Sequence, residues 1–141
     1  MRRKLRTRLW LLLIPATVLG LAIYANHIQQ VQRNAYTAWW VGDMVVNHLR
    51  TNDDRWPRNW DELKDDYQDC VKRSGQPWTF DELKRRVLID WDADPNQLLT
   101  RQANGIPQFR AIWLTDGSSS HWESHEPNQI VLDYLNQRRS N

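Results

Sequence analysis

The chain has 141 residues, 40% of them hydrophobic and 26% charged, so it is neither fibrous nor intrinsically disordered and is long enough for one modest core. The net charge of +2 is unevenly spread: residues 1–42 carry six basic side chains and no acid, while the rest carry 13 basic and 17 acidic ones, a balance of −4. A mildly acidic body argues against a nucleic-acid partner, whose footprint is basic. Nine tryptophans suit a core, an interface or a membrane headgroup belt, and the count alone does not choose.

The chain opens with MRRKLRTR, a basic tail over residues 1–8, followed by an apolar run over residues 9–25. No charge occurs between Arg8 and Arg33. The run is near the lower length limit for a spanning helix. Trp10 and Tyr24 sit at its ends, where amphipathic rings favour the interface, and Arg2, Arg3, Lys4, Arg6 and Arg8 form the basic flank. The expectation is a single-pass segment in the cell inner membrane, with the N-terminus cytoplasmic and the body extracytoplasmic. Small residues Gly20 and Ala22 also fit a signal-peptidase site, so cleavage after Ala22 is the competing reading.

Over residues 26–51 the apolar positions Val31, Ala35, Ala38, Gly42, Val45, Val46 and Leu49 recur at helical spacing. The segment therefore continues the apolar run as one amphipathic rod. Its Ala38, Gly42 and Val45 face is the candidate for association with a protein partner or a second copy. The body proper is expected over residues 52–141.

Two related octets follow, PRNWDELK at 57–64 and PWTFDELK at 77–84. Each places a capping residue (Asn59, Thr79) three positions before a glutamate, which predicts a short helix that pins an aromatic and a leucine on the core. Residues 85–92 alternate as a strand with Val87, Ile89 and Trp91 on one face. Asp94 then caps a helix that begins at Pro95. A second strand is expected over 108–116 with Phe109, Ala111 and Trp113 inward, and HWE at 121–123 as a short third strand. The chain closes on a helix from about Pro127 with Ile130, Val131, Tyr134 and Leu135 as its apolar face. The fold class is α+β: a long N-terminal helix, short helices, a small antiparallel sheet of 2–3 strands and a C-terminal helix.

A basic leader, an apolar run that continues as an amphipathic helix, then NDDRWPRNWDEL and a small sheet domain resembles a type IV pilin or a type II secretion pseudopilin. The resemblance covers the first half of the chain. It implies an anchoring helix with an outward domain and a structural role in the envelope. The family's glycine before the apolar run and its glutamate within it have no counterpart, since Arg8 precedes Leu9 and no acid occurs before Asp43. The second half is similar to the ending of small bacterial membrane-anchored proteins.

Chemistry is sparsely encoded. His121, Glu123 and His125 would project from one side of a strand, and two imidazoles with a carboxylate suit zinc or ferrous iron. A metal- or ligand-binding domain centred on them is the alternative to a structural role. Asp90, Asp92 and Asp94 begin like a calcium loop, but Pro95 and Arg101 stand where its glycine and glutamate belong. Cys70 is the only cysteine, which fits a half-buried inert thiol or a link between chains. Trp56 and Trp78, beside prolines in loops, are candidates for surface contacts. No nucleophile-elbow or phosphate-loop motif is present. The expectation is a non-enzymatic chain that needs no cofactor, with the lipid bilayer and a protein as its partners and no nucleic acid.

Overall fold

The computed structural model describes the backbone of residues 2–103, 110–118 and 126–140, and side chains over 17–100, 110–118 and 126–140. The fold is α+β, as the sequence implies. A single helix, α1, runs over Arg2–Thr51. The chain divides into two compact units, Met1–Arg33 and Asn34–Asn141.

In the second unit, residues of α1 are the central core element. Ala38, Val41, Met44, Val45 and Leu49 are fully buried, and each larger one adds about 1.5–3 kcal/mol of burial. Ala35, Ala38, Gly42, Val45, Val46 and Leu49 of the expected stripe are buried, joined by Val41 and Met44, while Val31 is half-buried. The Ala38, Gly42 and Val45 face is covered within the chain: a Cβ at Gly42 would lie 3.0 Å from the Pro127 Cα. In this fold Ala38, Gly42 and Val45 are buried within the chain, with Pro127 packed against Gly42, so this face is not open for association. A protein partner reached through α1 would have to use other positions.

After α1 the chain makes a 3-10 turn at Trp60–Leu63, a short helix α2 at Lys64–Tyr67 and a π-helical turn at Gln68–Lys72. The first of these is capped by Asn59, whose Oδ1 accepts from the amides of Asp61 and Glu62. Helix α3, Phe80–Arg86, is capped by Thr79 through the Glu82 amide. The repeated octets therefore act as a structural pair. Leu63 and Leu83 are both fully buried, and the Trp60 and Phe80 rings meet edge to face at 5.8 Å.

Strand β1, Val87–Ile89, pairs antiparallel with β2, Ile112–Leu114, with Leu88 opposite Trp113. Val87 and Ile89 face the core as expected, but Ile112 and Leu114 do so on β2, while Trp113 is only half-buried. The expected phase with Phe109, Ala111 and Trp113 inward is corrected by this register, although Ala111 is itself buried just before the strand. Phe109 and the expected third strand at 121–123 lie outside the described residues. Helix α4, Pro95–Ala103, starts on the Asp94 cap, whose Oδ1 accepts from the Asn96 amide.

The closing helix α5 spans Pro127–Ser140. Glu126 caps it, with Oε2 accepting from the Gln129 amide at 2.7 Å. Val131, Tyr134 and Leu135 are buried as expected, joined by Leu132 and Asn128. Asn128 ties α5 to the sheet: its Oδ1 accepts from the amides of Ala111 and Ile112, and its Nδ2 donates to the Ile112 carbonyl. One side chain so gives Ile112 the pair of bonds that a neighbouring strand would supply.

Candidate functional site

Helix α1 ends in a strained turn. Asp53 and Asp54 both adopt left-handed backbone, with φ of 54° and 57°. The Asp54 amide bonds back to the Leu49 carbonyl at 2.9 Å, the long closing bond of a Schellman-type end, with aspartate where glycine is usual. The Asp54 carboxylate is held by the Tyr134 hydroxyl at 2.6 Å and by Arg138 at 3.2 Å, so α5 fastens this turn. Burial and the neighbouring Asp54 carboxylate raise the Tyr134 hydroxyl above its ordinary value.

Beneath the turn lies a cleft of 1370 Å³. His48, Glu62 and Asp66 meet at its floor. The His48 Nδ1 is 3.1 Å from Asp66 Oδ2, and its Nε2 is 3.9 Å from Glu62 Oε2. Asn47 donates to the other Asp66 oxygen at 2.8 Å. Burial raises the Asp66 carboxyl above its ordinary value, against the lowering effect of the bonds from Asn47 and His48. Glu62 also accepts from the Arg58 amide, so it doubles as part of the cap on the 3-10 turn.

The hydroxyls of Thr51 and Thr100, which line the cleft, donate to carbonyls of their own helices. Cys70 is half-buried and its thiol is pushed up to about 12, chiefly by burial, so the thiolate is strongly disfavoured. The arrangement can exchange protons between His48 and the two acids, and it can hold the end of α1 against the segment below.

The other sequence candidates divide clearly. His121, Glu123 and His125 lie outside the described residues, as do the side chains of Arg2, Arg3, Lys4, Arg6, Arg8 and Trp10. Among the described residues no group of three or more His, Cys, Asp or Glu side chains is placed to hold a metal ion. Asp90 and Asp94 each accept from a backbone amide two residues on, which is the turn and cap role of aspartate. Trp56 and Trp78 are not surface contacts: they are 9% and 7% exposed. The Trp56 indole donates to the Asp90 carbonyl at 2.8 Å, and the Trp78 carbonyl accepts from Tyr67. The small core recruits both rings, because large side chains supply the area that a short chain must bury. Trp91 is partly buried and meets Trp60 edge to face.

The first unit presents a different surface. Val18, Leu19, Leu21, Ile23 and Tyr24 are each 60–64% exposed. At 100° per residue these positions point to every side of the helix. Among the described residues no helix is long and apolar enough to cross a membrane; the side chains of residues 1–16 are not among them.

The His48 cluster is absent from the sequence-based candidates, yet a signal was available. His48 follows Val41 and Val45 at helical spacing and precedes Leu49, so it is a polar residue inside an apolar stripe. Comparison of the chain with protein-family models, with curated proteins and with solved structures finds no match.

Proposed function

We propose that this chain is a single-pass envelope protein, held in the inner membrane by residues 9–25, with its folded unit outside the cytoplasm in a structural or adaptor role. The observation that carries the reading is the contrast along α1. Around residues 18–24 apolar side chains are exposed on all sides, whereas from Ala35 onward the helix buries one face in a core. Apolar groups all round a helix need lipid or another protein to cover them, since water leaves them unsatisfied. The basic residues at 2–8 set the orientation by the positive-inside rule. The sequence resemblance to pilins and pseudopilins agrees with an anchoring helix that doubles as the spine of an outward domain.

A non-catalytic role fits the cleft, whose hydroxyls are tied to backbone carbonyls and whose neighbouring thiol is held protonated. Carbonate washing of membranes from cells that express the full-length chain tests the anchor. Retention in the pellet is expected; release into the supernatant defeats the reading.

A further inference from the structure

His48 is only 6% exposed, and each of its ring nitrogens faces a carboxylate. The ring belongs to the last turns of α1, whereas Glu62 and Asp66 belong to the 3-10 turn and α2 that pack beneath it. A neutral imidazole donates one hydrogen bond, so it serves one acid at a time; the doubly protonated ring donates to both. At 3.9 Å the Glu62 contact is too long for a hydrogen bond, whereas the Asp66 contact at 3.1 Å is within reach.

We propose that His48, Asp66 and Glu62 form a proton-operated clasp between α1 and the 60–67 segment. As pH falls from about 8 towards 5 the cluster takes up a proton, Nε2–H closes on Glu62, and the segment is drawn onto α1 so that the cleft narrows.

The surrounding groups push in both directions. Asp65, beside Asp66 on α2, adds negative charge and favours proton uptake. On the turn after α1, the Asn52 side-chain nitrogen donates to the His48 carbonyl and lies 3.4 Å from the ring Nδ1 beside Asp66, Asp53 adds a negative charge at the cleft and Asp54 is committed to Tyr134 and Arg138, while the Arg55 guanidinium donates to the Asn52 carbonyl and opposes uptake from the rim. Arg58 follows that turn and also lines the cleft; its backbone amide donates to Glu62. From the π-helical turn comes Asp69, which is paired with Arg73. Helix α5 contributes Arg138, committed to Asp54, and Arg139 on the rim. The two closest charged groups are the acids, and the ring sits in the last turn of α1, where the helix dipole favours a cation.

The sign follows from proton linkage. A cluster that holds more protons folded than unfolded makes the fold more stable as pH falls. Asp66 acts in the same sense at the acid end, since burial raises its carboxyl above the usual 3.8 whether or not His48 is present; the rise between pH 8 and 6 belongs to the ring held between its two carboxylates.

Thermal melts of the full-length protein in detergent, followed by tryptophan fluorescence between pH 8 and 5, test the clasp. The wild-type Tm is expected to rise by about 3 °C or more from pH 8 to pH 6. Glu62→Gln keeps the shape and removes the charge, so the rise should fall to half or less; His48→Gln should abolish it. The 15N signals of the His48 ring, identified by their loss in His48→Gln, should pass from singly to doubly protonated over the same range. Parallel wild-type and Glu62→Gln curves, or a His48 ring that stays singly protonated down to pH 5, would overturn the proposal. Glu62 is partly solvent-exposed, so that variant and the ring spectra decide the matter even where His48→Gln does not fold.

Discussion

Asn128→Ala removes the side chain whose hydrogen bonds tie α5 to β2 among the described residues. In the native fold Asn128 is 3% exposed and bonds three backbone groups: the Ala111 amide at 2.8 Å, the Ile112 amide at 2.9 Å and the Ile112 carbonyl at 2.9 Å. Ala111 and Ile112 are 0% and 1% exposed, so water does not replace the lost partner without a local opening. Each buried backbone group left unpaired costs about 1–3 kcal/mol, and the three together put the loss at roughly 3–6 kcal/mol after partial relaxation. That is a large part of the 5–15 kcal/mol typical of a whole domain, about which such a substitution decides whether the fold persists. Asn128→Asp separates the roles of the two amide atoms. It keeps an acceptor for both amides but sets a carboxylate oxygen against the Ile112 carbonyl and against Glu126, which now accepts from Nδ2 at 2.7 Å. Urea unfolding of the full-length protein in detergent, read by tryptophan fluorescence, measures both. A loss below about 1 kcal/mol for Asn128→Ala would refute the reasoning, since it would mean that these groups find water or other partners.

Three further outcomes are expected. Gly42→Ala gains about 1 kcal/mol of helix propensity, yet its Cβ meets the backbone of Pro127 at 3.0 Å. Because a proline backbone at a buried helix start yields little, the net change should be a loss of about 1–2 kcal/mol in the same urea assay, and a net gain would show that α5 shifts freely. Asp53→Gly relieves a left-handed aspartate for which no side-chain hydrogen bond or ion pair is seen among the described residues, and should stabilise the fold by about 0.5 kcal/mol; a loss would point to a role for the carboxylate. Cys70, with its thiol pushed up to about 12, should resist iodoacetamide at pH 8 in the folded protein and react readily in urea; equal rates in the two states would contradict its burial.

What was legible in the sequence was chiefly what local chemistry decides. Asn59, Thr79 and Asp94 each cap the helix or turn that follows, because a side-chain oxygen next to free amides is a local device. The apolar spacing from Ala35 to Leu49 and from Ile130 to Leu135 likewise located the two helices that frame the core. The phase of β2 was not legible: Ala111, Ile112, Trp113 and Leu114 are all apolar, so alternation gave no preferred face. Only the register against Val87 and Ile89 turns Ile112 and Leu114 inward. The burial of Trp56 depends on a bond to the Asp90 carbonyl 34 positions away, and a proline neighbour misleadingly suggested a surface loop. The His48 cluster depends on Asp66, 18 positions on, which looks like any other acid in a short polar stretch until α2 folds beneath α1.

The proposed arrangement places the folded unit outside the cytoplasm on a membrane-held α1. Protease added to spheroplasts that express the full-length chain with a C-terminal epitope tests it most directly. Loss of the epitope in intact spheroplasts is expected, with a short basic N-terminal fragment retained in the membrane pellet. Full protection of the epitope until the membrane is permeabilised, or a soluble chain with no membrane-retained fragment, would contradict it.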